Sequence, residues 1–237
     1  MSDLHPSRPF IFAFSWILYY LLATTLGKMT AGLLPVPHFS LCILYSVLLL
    51  LLVYFLKKHS LFTKYRLQLP KKGIPLHNFL PLIFIAFIIC LHPTNFSCTA
   101  WEATGLILQI TLAAFCEELL FRGVVLNIIK GQSDNMAAVN SSVLFAIMHL
   151  LNLSSSPDLF LHFFHLLYCF AAGYLFCAIT FFSDSLLPAF LAHVFINVIV
   201  SFQEPIPNYF ISGIFIVLCL AYGTFLLKQS KSTSSNQ

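Results

Sequence analysis

Two adjacent glutamates and an arginine, in the pattern Glu117-Glu118-x-x-x-Arg122, interrupt a long apolar stretch of this chain. Only 8% of all residues are charged, so ionisable side chains this close together stand out. Placing one such group in a lipid bilayer costs at least about 2.5 kcal/mol on insertion scales. The cluster therefore indicates a functional site inside the membrane.

The spacing divides this cluster into two parts. Glu118 and Arg122 are four residues apart, so in a helix they share one face and can pair. Glu117 points about 100° away from Glu118 and has no local partner. Its carboxylate is thus placed to face a cavity and to act as a general base. The alternative is an internal ion pair that only locks helices together, and Glu118 with Arg122 fits that alternative better than Glu117 does.

Further polar side chains occur later in the chain, each inside an apolar segment. His149 ends the pattern Phe145-x-x-x-His149, where a histidine is either a catalyst or a packing residue. In His193-x-x-x-Asn197 an imidazole and an amide share one helix face. Two such donors that point at one place stabilise a developing oxyanion. Hydrogen bonding between membrane helices is the alternative for this pair.

A competing pair consists of His162 and His165, whose spacing allows both to bind a metal from one helix face. Apart from Asp158, we assign no carboxylate or cysteine to the same face. The seven cysteines of the chain lie almost all in apolar runs and form no CxxC pair. This predicts buried, unreactive thiols rather than disulfides or a zinc ribbon.

The elements that position these side chains are membrane-spanning helices. The chain has 237 residues, of which 59% are hydrophobic, and a mean hydropathy of +0.90. These values predict an all-α fold, a polytopic membrane helical bundle of about eight transmembrane helices without a sizeable soluble domain. The predicted spans are Phe10–Leu34, Phe39–Leu56, Leu76–Leu91, Trp101–Ile129, Met136–Leu153, Leu159–Phe182, Leu186–Phe202 and Tyr209–Leu227.

The distribution of basic residues predicts the orientation. All Lys and Arg residues except Lys28 and Arg122 fall on one side of the eight spans. By the positive-inside rule the N- and C-termini are cytoplasmic, and the net charge of +4 reflects these loops rather than a nucleic-acid partner. Glu117, His149 and His193 are then each on the order of 10–20 Å from the inner ends of their spans. We expect them to meet in a conical cavity that opens to the cytoplasm.

Taken in order, the three motifs Glu117-Glu118-x-x-x-Arg122, Phe145-x-x-x-His149 and His193-x-x-x-Asn197 resemble the CPBP intramembrane proteases. That family includes CAAX prenyl endopeptidases and bacterial immunity-type (Abi) membrane proteins. The resemblance covers roughly 100–201 and implies that Glu117 and His149 activate a water. It also implies that His193 and Asn197 stabilise the oxyanion, while Glu118 and Arg122 support the helix or hold a substrate carboxylate.

With this resemblance we divide one integral domain into three segments. These are 1–99, with N-terminal helices and a basic cytoplasmic loop, 100–202, the CPBP-like catalytic core, and 203–237, with the last helix and a polar tail. The expected location is a membrane, most simply the bacterial inner or cell membrane. The expected partners are the lipid bilayer and a membrane-embedded or lipidated (CAAX-like) peptide or protein.

Two questions stay open from the sequence. Members of this family are often described as metalloproteases, and Glu117, Glu118, His149 and His193 are of the ligand types that one zinc ion accepts. Because HExxH is absent, we favour a glutamate-dependent mechanism without a cofactor. The second question is function itself, since ionisable groups in spans also occur in proton-coupled transporters and in non-catalytic immunity or scaffold proteins.

Overall fold

The computed structural model describes residues 9–31, 38–71, 74–129, 133–150, 158–204 and 208–234. In these ranges the chain forms helices joined by turns, with no strand and an isolated antiparallel bridge between Thr94 and Gln203. The predicted all-α class is therefore confirmed. The helices are α1 (Pro9–Thr30), α2 (His38–Lys58), α3 (Leu80–Cys90, preceded by a 3-10 turn at Leu76–Phe79), α4 (Ala100–Glu118), a π-helical segment (Leu119–Val125), α5 (Leu126–Ile129), α6 (Asp134–His149), α7 (Leu159–Ser183), α8 (Leu187–Ser201) and α9 (Tyr209–Ser234).

Each of the eight predicted spans corresponds to a helix, and the fourth span comprises α4, the π segment and α5. Proline in the first turn of α3 and of α8 fits these boundaries, since a first-turn residue needs no N–H donor. The prediction of buried thiols is wrong for Cys90 and Cys98, which are exposed. Cys90 is the last residue of α3 and Cys98 lies just before α4, so both thiols are at the end of a helix rather than in its packed middle.

By length and apolar composition, α1, α2, α7 and α9 can each cross a membrane, while α3 and α8 are shorter apolar helices. Large apolar side chains such as Leu50, 70% exposed, and Phe14, 65% exposed, point away from the protein interior. So much exposed apolar surface suits contact with lipid chains rather than with water. The chain is an integral membrane protein.

The described helices form two compact units, and the first comprises Met1–Leu67 and Phe96–Ile128. In this unit α1 and α2 run antiparallel, because the ring of Phe12 lies 5.1 Å from that of Phe55, while Gly27 near the other end of α1 packs on Leu41. Helix α4 packs on α2, and the π segment contacts α1. These contacts bring three helices around the side chains at the end of α4.

The second unit comprises Gln68–Asn95 and Ile129–Gln237. Its centre is α7, in which Ala171 to Thr180 are buried without interruption, and which packs on α6, α8 and α9. Helices α7 and α9 run parallel, because Phe160 contacts Tyr209 near their starts and Tyr174 contacts Thr224 further along. A parallel arrangement is expected for helices separated by one further crossing of the membrane.

Candidate functional site

The first group of site residues lies at the end of α4, and a capping box fixes the start of this helix. Thr99 and Glu102 form a capping box at its start, where the Glu102 backbone N–H donates to Thr99 Oγ1 and the Thr99 backbone N–H donates to Glu102 Oε2. The apolar helix that follows ends with Glu117 and Glu118, which are 7% and 0% exposed. Both carboxylates are therefore held on regular helical backbone inside the first unit.

Glu118 forms the ion pair expected from its spacing. Arg122 NH1 donates to Glu118 Oε1 at 2.9 Å, and both side chains are 0% exposed. Arg122 belongs to the π segment, which starts immediately after Glu118. Segments of π-helix are rare and occur frequently at functional sites. A buried pair of this kind holds the helix in place, because removing either member would leave an uncompensated charge.

Glu117 has a partner from another helix, which local spacing did not predict. The phenol of Tyr20, in α1, donates a hydrogen bond to Glu117 Oε1. The Tyr20 ring stacks on the ring of Tyr45 in α2, with centroids 5.6 Å apart and an interplanar angle of 14°. Thr24, one turn after Tyr20, lies 3.1 Å from the Tyr45 hydroxyl. Glu117 is thus the end of a buried polar network that spans three helices.

His149 lies at the end of α6 in the second unit. Its Nδ1 is 2.8 Å from the Phe145 carbonyl oxygen one turn earlier. Because a carbonyl oxygen only accepts, Nδ1 carries the proton and Nε2 of the neutral ring keeps a lone pair. The Phe145 ring also packs on the His149 ring at 4.5 Å between centroids. These two contacts with Phe145 orient the imidazole.

His193 lies in α8 and is 2% exposed. The ring of Phe176, in α7, stacks on it at 4.8 Å and 23°, and the edge of Phe145 meets it at 5.9 Å and 78°. One stacked and one T-shaped aromatic contact together fix the plane of the imidazole. Asn197 follows one turn later on the same helix and is half-buried, so both donors lie on one face of α8.

Residues 99–199 match the family profile described as "Type II CAAX prenyl endopeptidase Rce1-like". This segment is Rce1-like. The match begins at the N-cap of α4 and ends in α8, so it contains all three motifs, and it confirms the family resemblance inferred from them. In a comparison with curated proteins, no match to the chain was found.

Within the Rce1-like segment, the structure brings the predicted residues together in two groups. Glu117, Glu118 and Arg122 lie at the end of α4 and in the π segment of the first unit. In the second unit Phe145 touches both His149 and His193. The first group is buried around the Glu118–Arg122 ion pair and the Tyr20–Glu117 hydrogen bond, whereas in the second group His193 is buried and His149 is half-buried.

The contacts of the candidate metal ligands do not favour a metal site. Across the part of the chain that the structure describes, no group of three or more His, Cys, Asp or Glu side chains is placed to hold a metal ion. Glu117 accepts from Tyr20, and Glu118 pairs with Arg122. These contacts do not fit a zinc site.

The sequence predicts no cysteine on the helix face of His162 and His165, and this is wrong for Cys169. Cys169 lies four residues after His165, with its Sγ 3.5 Å from His165 Nε2. His165 also faces His149, at 6.3 Å between ring centroids. The described residues around this pair give no third ligand within metal-binding distance.

The residues that the sequence interpretation missed are Tyr20, Thr24 and Tyr45 in the first unit and Phe176 in the second. Tyr20 and Tyr45 lie outside the Rce1-like segment, in apolar helices where a tyrosine is an ordinary residue. The i, i+4 spacing of Tyr20 and Thr24 was a readable signal. It showed a shared polar face, but not which residue of another helix that face would meet.

Proposed function

We propose that this chain is an intramembrane endopeptidase that hydrolyses a peptide bond of a membrane-associated or lipidated, CAAX-like substrate. The observation that carries the proposal is the Rce1-like match, which contains Glu117, His149, His193 and Asn197. Two features of the site support it. A carboxylate is buried and held by a phenol, and an imidazole has its Nδ1 proton engaged by a backbone carbonyl.

In this mechanism Glu117 takes a proton from a water molecule as the water oxygen attacks the scissile carbonyl carbon. By the family resemblance His149 is the second residue of this step, and its Nε2 is the atom that can accept a hydrogen bond from a water molecule. The carbonyl oxygen becomes an oxyanion, which His193 and Asn197 stabilise by hydrogen bonding. The C–N bond then breaks, and the proton held by Glu117 passes to the leaving amine.

Glu118 and Arg122 have a supporting role in this proposal. Their buried pair holds the end of α4 and the start of the π segment, so that the neighbouring Glu117 keeps its orientation. We also propose that both termini are cytoplasmic, because the basic residues outside the spans then lie on the cytoplasmic side.

The test is a cleavage assay with purified protein in detergent and a farnesylated CAAX reporter peptide. Glu117→Gln and His149→Ala should each lower kcat/KM by about 10²–10⁴-fold, the range for loss of a general base or its partner. The matched controls are Glu102→Gln, at the exposed start of α4 where glutamine retains the capping box, and His77→Ala at an exposed position. Folded Glu117→Gln protein that cleaves like wild type would refute the proposal.

The same assay decides the role of a metal. We expect activity to persist in the presence of a zinc chelator and the purified protein to contain no stoichiometric zinc. Stoichiometric zinc together with loss of activity on chelation would replace the glutamate-dependent mechanism with a zinc-dependent one.

A further inference from the structure

Tyr20 lies in α1, outside the segment 99–199 that matches the Rce1-like family. It is nevertheless the residue whose phenol donates to Glu117 Oε1. Both side chains are 7% exposed. A hydrogen bond from a neutral donor to a carboxylate is stronger than one between neutral groups, and burial strengthens it further. A helix outside the family segment therefore contributes directly to the surroundings of the proposed base.

The directions of the hydrogen bonds in this network follow from proton counting, because each hydroxyl has one proton. Thr24 Oγ1 lies 2.9 Å from the backbone carbonyl oxygen of Tyr20, which can only accept, so Thr24 donates there. The contact of 3.1 Å between Thr24 Oγ1 and the Tyr45 hydroxyl then uses the proton of Tyr45. Tyr45 is thereby committed to Thr24, and the proton that reaches Glu117 is that of Tyr20.

The ring of Tyr20 is also fixed in place. It stacks on the ring of Tyr45. Thr24 also links α1 to α2, because its hydroxyl contacts both the Tyr20 carbonyl oxygen and the Tyr45 hydroxyl. The neighbouring Tyr19 is 40% exposed and contacts Trp16. Of these two adjacent tyrosines, only Tyr20 is built into the interior of the unit.

We propose that Tyr20 is a positioning residue for Glu117: it holds Oε1 and fixes the rotation of the carboxylate. This inference rests on the proposed function, in which Glu117 takes the proton from water. The inference adds that α1 and α2 supply contacts to Glu117 that the segment 99–199 does not contain. Tyr45 and Thr24 hold Tyr20 in the position from which it reaches Glu117.

The test compares Tyr20→Phe with Tyr19→Phe in the full-length chain, using the farnesylated CAAX reporter peptide. Phenylalanine keeps the stacked ring and removes only the hydroxyl. We expect kcat to fall about 10- to 100-fold, the range for a lost hydrogen bond to a charged group, while KM stays unchanged. Tyr19→Phe should match wild type. A Tyr20→Phe variant that matches Tyr19→Phe, or one that loses its fold, would overturn the positioning role.

A second set of variants tests whether Tyr20 affects kcat through Glu117 or through the stability of the protein in general. In Glu117→Asp the carboxylate is one methylene shorter and no longer reaches Tyr20. Adding Tyr20→Phe to Glu117→Asp should then have little further effect on kcat. An equal fall of kcat in both backgrounds would show that Tyr20 acts independently of Glu117 and would contradict the inference.

Thermal unfolding in detergent makes the inference independent of peptidase activity. Tyr20→Phe should lower the Tm of wild type, because the buried Glu117 carboxylate loses a hydrogen bond, and it should have little further effect on the Tm of Glu117→Ala. Tyr19→Phe should leave both Tm values unchanged. If wild type does not cleave the reporter but this difference is found, the proposed function fails and the Tyr20 contact stands. An equal fall of Tm in both backgrounds would overturn the contact itself.

Discussion

Replacing Arg122 by methionine should strongly destabilise the first unit, and replacing Glu118 as well should restore most of the loss. Arg122→Met keeps much of the side-chain volume but leaves the Glu118 carboxylate without the guanidinium at 2.9 Å. Glu118→Met/Arg122→Met removes both charges from a site where each side chain is 0% exposed. The comparison separates the attraction within the pair from the cost of burying it.

The magnitude follows from the burial and the distance. Two unit charges about 4 Å apart attract by about 4 kcal/mol at an effective dielectric constant of 20, and breaking a buried pair by removing one partner costs about 3–5 kcal/mol. For a protein of this size 1 kcal/mol corresponds to about 2–4 °C in Tm. Arg122→Met should therefore lower Tm by about 6–20 °C. The double variant should lie within about 2 kcal/mol of wild type, because an apolar pair of similar volume replaces a buried ion pair at little cost.

The assay is thermal unfolding in detergent, followed by intrinsic tryptophan fluorescence, for wild type, both single variants and the double variant. The non-additivity of the four free energies gives the coupling between Glu118 and Arg122. A Tm of Arg122→Met equal to that of wild type would refute the reasoning, since it would mean that the pair is not buried in the protein. A double variant as unstable as Arg122→Met would show that Glu118 is not the charge that Arg122 compensates.

Two further predictions concern packing and orientation. Gly27→Ala should destabilise the protein by about 1–3 kcal/mol, because the added Cβ would overlap the Leu41 side chain and lie 3.3 Å from Leu41 Cα. The control is Gly213→Ala, whose Cβ would be 4.0 Å from the nearest atom and which should be neutral or stabilising by up to about 1 kcal/mol. Equal Tm values for the two variants would contradict this prediction. Cys98 is exposed just before α4, and in a Cys90→Ser variant a membrane-impermeant maleimide added outside intact cells should label it. Labelling of Cys98 only after the cells are opened would reverse the proposed orientation.

The helices could be predicted because a membrane span needs a long apolar run, and such runs are visible in the sequence. Charged and proline-containing stretches separate the runs, so the eight spans correspond to the observed helices. The interruption of the fourth span by the π segment Leu119–Val125 could not be predicted. No residue type specifies a π turn, and Leu119, Leu120 and Arg122 in this segment are strong helix formers.

The site was predictable where its contacts are local. The pair of Glu118 and Arg122 and the shared face of His193 and Asn197 follow from spacing along one helix. The contact of Tyr20 with Glu117 joins residues that are 97 positions apart, and it depends on how α1 packs against the end of α4. Spacing in a single sequence carries no information on such a contact.

The π segment has a consequence for the geometry of the whole fourth span. In an α-helix each residue turns the chain by about 100°, whereas the wider i→i+5 turns of a π segment accommodate an extra residue. If all seven residues of Leu119–Val125 instead wound as a regular α-helix, every later side chain would be rotated by about 100° relative to Glu117. The π segment therefore sets the rotation of α5 about the helix axis relative to Glu117 and Glu118. Its length determines which face of α5 is turned toward the interior.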